Sequence, residues 1–264
     1  MNKIIIFFVG LCVISTATHA KETEWVSHGQ EAKTRLIGTK PVAGNAGLVW
    51  LAWEAELQNG WKTYWRSPGE AGLPVIVKIN DVEKELAYPI PERFELFGLQ
   101  TYGYSKKVII PFQIEAEALK RGDTEIHVSF MVCKDICIPI EHTFQPPQKD
   151  KFDYDLKIAS WLSKVPMTSL EESKFKVMSH KIIGPVGKQR VIIDVKGLEA
   201  YQQADLLIEG PATMMFIPAG KTSKGDFVRF VVKTSGMGDI PDLKNEKLRI
   251  TVIDGNGKAI DVSR

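Results

Sequence analysis

The 264-residue chain holds 34 basic and 32 acidic side chains, a formal net charge of +2, and 44% of its residues are hydrophobic. Such a balance gives no electrostatic footprint for nucleic acid or an anionic membrane. Beyond the amino terminus no run is long and apolar enough to span a bilayer, so a soluble globular protein of one or two domains is expected.

The first 20 residues read as a secretory signal. MNK supplies a short basic start, IIIFFVGLCVIS an apolar run too short to cross a membrane, and TATHA a small-residue cleavage site ending at Ala20. Cleavage there starts the exported chain at Lys21, outside the cytoplasm, and removing Lys3 lowers the net charge to +1. It also removes Cys12, leaving Cys133 and Cys137 as the exported cysteines, a pair expected to close in an oxidising compartment.

Strand patterns dominate the rest of the chain. AKTRLIG, GLVWLAWEAEL, WKTYWR, LPVIVKI, KVIIPFQIE, TEIHVSFMVC and CIPIEHTF are β-rich runs separated by NG, SPGEAG, PIPE and RGD. In TEIHVSFMVC, Ile126, Val128, Phe130 and Val132 alternate with His127, Ser129, Met131 and Cys133, which places the two sets on opposite faces. QPPQKD (145–150) marks a boundary. FDYDLKIASWLSKV then predicts a short helix with Leu156, Ala159 and Leu162 on one side, ending before Pro166. From about Lys174 strands resume: FKVMSHKII, QRVIIDVKG, ADLLIEG, TMMFIPA, DFVRFVVKT, KLRITVID and KAIDVS. About seven strands in each half predict an all-β protein of two immunoglobulin-like β-sandwich domains joined by a linker with a short helix, a single mixed barrel being the alternative. The expected divisions are a signal at 1–20, a first domain at 21–148, a linker at 149–172 and a second domain at 173–264.

The cysteine spacing constrains its own geometry. In an extended strand, positions four apart lie roughly 13 Å from each other, beyond disulfide reach. In a helix their Cβ atoms are about 5–6 Å apart, still too far for a relaxed bridge. A hairpin with Lys134, Asp135 and Ile136 as a three-residue turn brings Cys133 and Cys137 face to face. Closing so small a loop restrains the unfolded chain by only about 2 kcal/mol, so a tight lone pair suggests redox work over a structural staple. Lys134 favours a thiolate and Asp135 opposes it. A Cu(I) site is the metal alternative: His127, Met131 and Cys133 share a strand face, Cys137 lies opposite, and thiolate, thioether and imidazole suit that ion. A single cysteine pair is a weak zinc signature, and no phosphate loop, zincin motif, nucleophile elbow or C-x-x-C is present. No cofactor is expected.

GWKTYWRSPGEAGLP, PERFELFGLQTYGY and FMVCKDICIP together resemble the periplasmic amino-terminal domain of the thiol:disulfide interchange protein DsbD, and more closely its ScsB (suppressor of copper sensitivity) branch. The resemblance covers about residues 30–145. It implies an immunoglobulin-like domain in the periplasm whose cysteine pair, here Cys133 and Cys137, takes electrons from a membrane-embedded partner and passes them to periplasmic thioredoxin-fold proteins. FELFG (94–98) corresponds to the family's cap loop, DEFYG in DsbD, which shields the cysteines until a partner arrives. Glu95, Phe97 and Gly98 correspond, whereas Leu96 stands where DsbD has its shielding aromatic. Tyr64 and Trp65 fall where DsbD has tyrosines near the active site. The C-x₃-C spacing is shorter than in DsbD. The sequence ends at Arg264 with neither a transmembrane nor a thioredoxin domain, so a separate membrane electron donor is expected. On this reading Cys137 forms the mixed disulfide and Cys133 resolves it. The residues also allow two rival functions: a copper-binding or copper-tolerance protein, and an interaction module whose disulfide only pins a hairpin.

Overall fold

The computed structural model describes residues 24–39, 47–147, 152–168 and 173–263. The signal expected at 1–20 lies outside them, as do residues 148–151 and 169–172 around the expected linker.

Eleven strands precede the helix: β1 (Val26–His28), β2 (Ala32–Gly38), β3 (Leu48–Leu57), β4 (Lys62–Gly69), β5 (Ile76–Ile79), β6 (Val82–Glu83), β7 (Glu92–Leu96), β8 (Leu99–Ser105), β9 (Lys107–Glu115), β10 (Ile126–Cys133) and β11 (Cys137–Phe144). They form two sheets. One runs β1-β2-β3-β9; the other runs β6-β5-β10-β4-β8-β7, with β11 paired to β10. The alternation of β10 turns Val128, Phe130 and Val132 inward to meet Leu51, Trp53 and Phe112 from the facing sheet. This is the sandwich expected from the sequence, with more strands than the seven counted there. The short β1 and β6 and the whole β7–β8 hairpin had no clean hydrophobic alternation to announce them.

β3 is buried on both faces. Val49, Leu51, Trp53 and Ala55 enter the sandwich, while Ala52 and its neighbours Ile37 and Ile109 are covered by α1 (Phe152–Leu162). The helix therefore closes the outer side of one sheet. It does so with Tyr154 and Ile158, assisted by Trp161 and Leu162, whereas Leu156 points to solvent. The expected apolar face of Leu156, Ala159 and Leu162 is rotated: the bulkier Tyr154, Ile158 and Trp161 fill the sheet's surface better. Burying Ile158 alone contributes about 2 kcal/mol. Lys157 from the same helix reaches the fully buried carboxylate of Glu54 on β3, at 2.6 Å, beside Lys107 at 2.7 Å and Arg35 at 2.9 Å. Burial works against the Glu54 charge, but hydrogen bonds from Lys107, Lys157 and Arg35 outweigh it and hold the carboxyl below its ordinary value.

The second sandwich contains β12 (Lys176–Ile183), β13 (Arg190–Lys196), β14 (Asp205–Glu209), β15 (Met214–Lys224), β16 (Phe227–Gly236), β17 (Arg249–Ile253) and β18 (Ala259–Ser263). A four-stranded sheet β12-β13-β16-β15 packs on a three-stranded sheet β14-β17-β18 around Val191, Ile193, Val195, Phe230 and Ile250. All seven runs read from the sequence appear as strands.

The two sandwiches are joined by side chains as well as by the linker. Leu207 of β14 is buried within the first domain's core cluster. Arg66, at the far end of the Lys62–Arg66 stretch of β4, donates to Glu209 at 2.7 Å, Thr251 at 3.0 Å and Asp261 at 3.1 Å. Arg93 of β7 grips Asp205 through two nitrogens, at 3.0 and 2.9 Å, and donates to the Tyr102 hydroxyl. Planar guanidinium forks suit such bidentate pairing.

Candidate functional site

The β10–β11 hairpin places Cys133 opposite Cys137 in register, and the two are disulfide-bonded. The turn is Lys134–Ile136, closed by the Lys134 amide donating to the Ile136 carbonyl at 3.0 Å. The two sulfur-bearing residues differ in exposure. Cys133 is fully buried; Cys137, at the start of an edge strand, is exposed.

Three elements build the wall over Cys133. On β4, period-two alternation sends Lys62 and Tyr64 to the outer face beside the cysteines and Thr63 and Trp65 inward. Tyr64 is fully buried, its hydroxyl 4.0 Å from Cys137 Sγ, and burial pushes its pKa up, so it stays a neutral phenol. The SPGEAG loop covers Tyr64 from the other side. Gly72 lies flat against the ring, where a Cβ would come within 2.3 Å of it, and Gly72 has φ +106°. On β10, Met131 packs on the same cluster.

The third element is the cap, which is a β-hairpin. β7 and β8 pair from Glu92↔Gly103 to Leu96↔Leu99, with Phe97 and Gly98 as a two-residue turn. Both turn residues have positive φ, +53° and +81°, the handedness that fits a twisted hairpin. Gly98 adopts it freely; for Phe97 it costs about 1 kcal/mol. Phe97 is 68% exposed at the tip, whereas Leu96 is buried against Tyr64 and Cys133. Phe94 packs beside Tyr64, ring centroids 6.3 Å apart. Thus an aliphatic side chain stands over the buried cysteine, and the larger Phe97 faces out with Leu99 and with Ile136 of the cysteine turn, both exposed.

The fold brings some of the sequence-predicted residues together and separates others. Cys133, Cys137, Tyr64 and Leu96 meet in one cluster, with Glu95 exposed on the opposite side of β7 from Phe94 and Leu96. Trp65 does not belong to the site. It is fully buried in the sandwich core, because adjacent strand residues cannot share a face. For the Cu(I) set, Met131 adjoins Cys133, but His127 is six positions back, roughly 20 Å along the strand. There it bonds Thr143 at 3.2 Å and faces Glu141. No cluster of three or more His, Cys, Asp or Glu placed to hold a metal occurs among the described residues. One neighbour of the site is not singled out in the sequence reading: Lys62, whose ammonium lies 4.2 Å from the centroid of Phe94, the first residue of the expected cap segment. The alternation that put Tyr64 beside the cysteines could have found Lys62.

Comparison with known proteins agrees with this geometry. Residues 38–149 match the family described as "Thiol:disulfide interchange protein DsbD, N-terminal". No curated protein matches the chain. Among solved structures, the N-terminal periplasmic domain of ScsB from Proteus mirabilis superposes with a TM-score of 0.75, at 22% identity, covering 93% of this chain and 98% of that one. Over residues 38–149 the first domain is thus similar to the DsbD amino-terminal family, and the fold of the whole chain is similar to that of the ScsB N-terminal periplasmic domain.

Proposed function

We propose that the protein is a periplasmic thiol–disulfide exchange module that relays electrons from a membrane donor to thioredoxin-fold acceptors through Cys133 and Cys137. The observation that carries this reading is the asymmetry of the pair: a lone disulfide across a tight turn, one cysteine buried under Tyr64 and Leu96, the other exposed.

The chemistry follows from that asymmetry. A donor thiolate approaches the exposed sulfur, so it attacks Cys137 Sγ along the axis of the S–S bond. The bond breaks, its electron pair passes to Cys133 Sγ, and that sulfur takes up a proton. The donor's second thiol, deprotonated, then attacks the donor sulfur of the mixed disulfide and expels Cys137 as thiolate. Two electrons have now entered the pair and the donor has become a disulfide. Delivery reverses these steps. Cys137 thiolate attacks an acceptor disulfide, and Cys133, losing its proton, attacks Cys137 Sγ to release the reduced acceptor. The β7–β8 hairpin keeps stray thiols from Cys133, and the exposed Phe97, Leu99 and Ile136 offer an apolar rim to a docking protein.

Trapping tests the reading. A Cys133→Ser variant retains the attacking Cys137 and cannot resolve. Exposed to a periplasmic extract and to detergent-solubilised membranes, it is expected to accumulate mixed disulfides with a thioredoxin-fold protein and with a membrane dithiol protein, identified by mass spectrometry. A wild-type disulfide that dithiol reductant cannot open until the protein unfolds would reject it in favour of a hairpin pin.

A further inference from the structure

One cation on the disulfide's face takes no part in this exchange. Lys62 is the register partner of Cys133 across β4 and β10, and cross-strand partners project from the same face. Its ammonium rests on the Phe94 ring of the cap, and Phe94 in turn packs beside Tyr64. Lys134 adjoins Cys133 in sequence, but its stem runs back over Gly60, whose Cβ position would lie 3.0 Å from Lys134 Cε. On the other side of Lys62, Ser105 is its register partner on β8 and donates to Glu92 of β7 at 2.6 Å. Tyr64, Lys62 and Glu92 are thus the ionisable groups that the flanking strands turn toward this face.

We infer that Lys62 is the cation that stabilises the Cys133 thiolate, held on the Phe94 ring while the cap hairpin is down and released to the sulfur when a partner lifts it. The inference rests on the exchange reading and adds a residue and a gate to it. Attack on Cys137 drives the electron pair of the S–S bond onto Cys133 Sγ, a fully buried position where an isolated negative charge is costly. An ammonium one strand away offsets that cost, and a leaving thiol of lower pKa departs faster. In the resting disulfide neither sulfur carries charge, so the ammonium is better placed on the negative face of an aromatic ring. The ring sits on the hairpin that packs over Cys133. Lifting the hairpin therefore uncovers the sulfur and frees its counter-ion in one motion. Lysine suits this role better than arginine pinned in a fork, because its single ammonium swings on a flexible stem.

The test uses the whole exported chain. In a Cys137→Ser background, the thiolate absorbance of Cys133 is followed against pH, with the double-serine variant subtracted to remove tyrosine ionisation. Lys62→Met is expected to raise the midpoint by about one pH unit, and Lys62→Arg to restore most of it. A structural role alone would move neither. In the disulfide form, Phe94→Leu is expected to speed attack by reduced glutathione. Adding Lys62→Met to Phe94→Leu, where the ring no longer matters, is expected to slow it by about threefold. Equal midpoints and equal rates with and without the lysine would overturn the inference while leaving the exchange reading intact. A wild-type disulfide that glutathione does not open at all would instead overturn the exchange reading, and this one with it.

Discussion

Lys62 and Arg66 are two cations four residues apart on one strand, and the fold treats them in opposite ways. Arg66 is locked: its guanidinium meets Glu209, Asp261 and Thr251 of the second domain, and the Asp261 side chain is only 5% exposed. Lys62 rests on the face of Phe94, on a hairpin that ends in a strained and exposed tip. The first arrangement holds two domains as a unit; the second leaves a charge that can relocate. Between them lie Tyr64 at the disulfide and Trp65 in the core. A single strand thus joins a fixed interface to an adjustable site, and the second domain steadies the base of both β4 and the cap through Arg66 and Arg93.

The contrast can be broken most severely at the locked end. Arg66→Met leaves Asp261 and Glu209 facing a buried apolar side chain and is expected to cost about 3 kcal/mol. The loss is read as a lower urea midpoint, with the two domains unfolding in separate transitions. If the midpoint holds and unfolding stays single, Arg66 does not lock the interface. Next comes the disulfide itself. Cys133→Ser with Cys137→Ser is expected to lower stability by about 2 kcal/mol, the entropy of a five-residue loop. A much larger loss would mean that the bridge is a staple.

A smaller effect separates fixed charge clusters from movable ones by pH. The Glu54 carboxyl is held below its unfolded value, so its contribution is complete above the ordinary value of 4.5 and is lost as pH falls through the lower folded value. Glu54→Gln is expected to flatten the fall in melting temperature over that acidic window, whereas Lys62→Met is not. Identical profiles for Glu54→Gln and wild type would show that Glu54 does not set the acid sensitivity. The smallest effect is a gain. Phe97→Asn relieves the left-handed backbone at the cap tip and is expected to add about 0.5–1 kcal/mol. It is also expected to slow exchange with a protein partner and leave exchange with glutathione unchanged. A faster exchange with glutathione would instead place Phe97 in closing the cap and not in docking.

Much of this architecture is legible in the sequence, for identifiable reasons. The cysteine spacing demands a hairpin, and the register pairs Cys133 with Cys137 as that geometry requires. β10 and β13 read plainly because each alternates with one face buried, and β3 and β9 because burial on both faces makes them continuous apolar runs. The cap does not read as strands. PERFEL and LQTYGYS mix charge, glycine and aromatics, since one side of that hairpin meets the disulfide and its base meets the second domain. Resemblance places Trp65 at the site, yet the alternation that puts Tyr64 outward already sends its neighbour inward. The helix face is misread because aliphatic spacing alone ignores Tyr154 and Trp161, which pack against the sheet beside Ile158. Ion pairs such as Arg66–Glu209 span 143 positions, and no local pattern announces them.

Residues 62 to 66 carry one further implication. Lys62 meets the cap, Thr63 donates its hydroxyl to the Met131 carbonyl, Tyr64 covers the disulfide, Trp65 fills the core and Arg66 holds the second domain. A half-buried strand ordinarily offers every second position to drift, since one face sees only water. Here no position is idle, and neither is the reading frame. Inserting or deleting one residue would exchange tyrosine for tryptophan at the disulfide while pulling the arginine out of its carboxylates. The stretch is a place where the lineage can adjust neither length nor composition a step at a time.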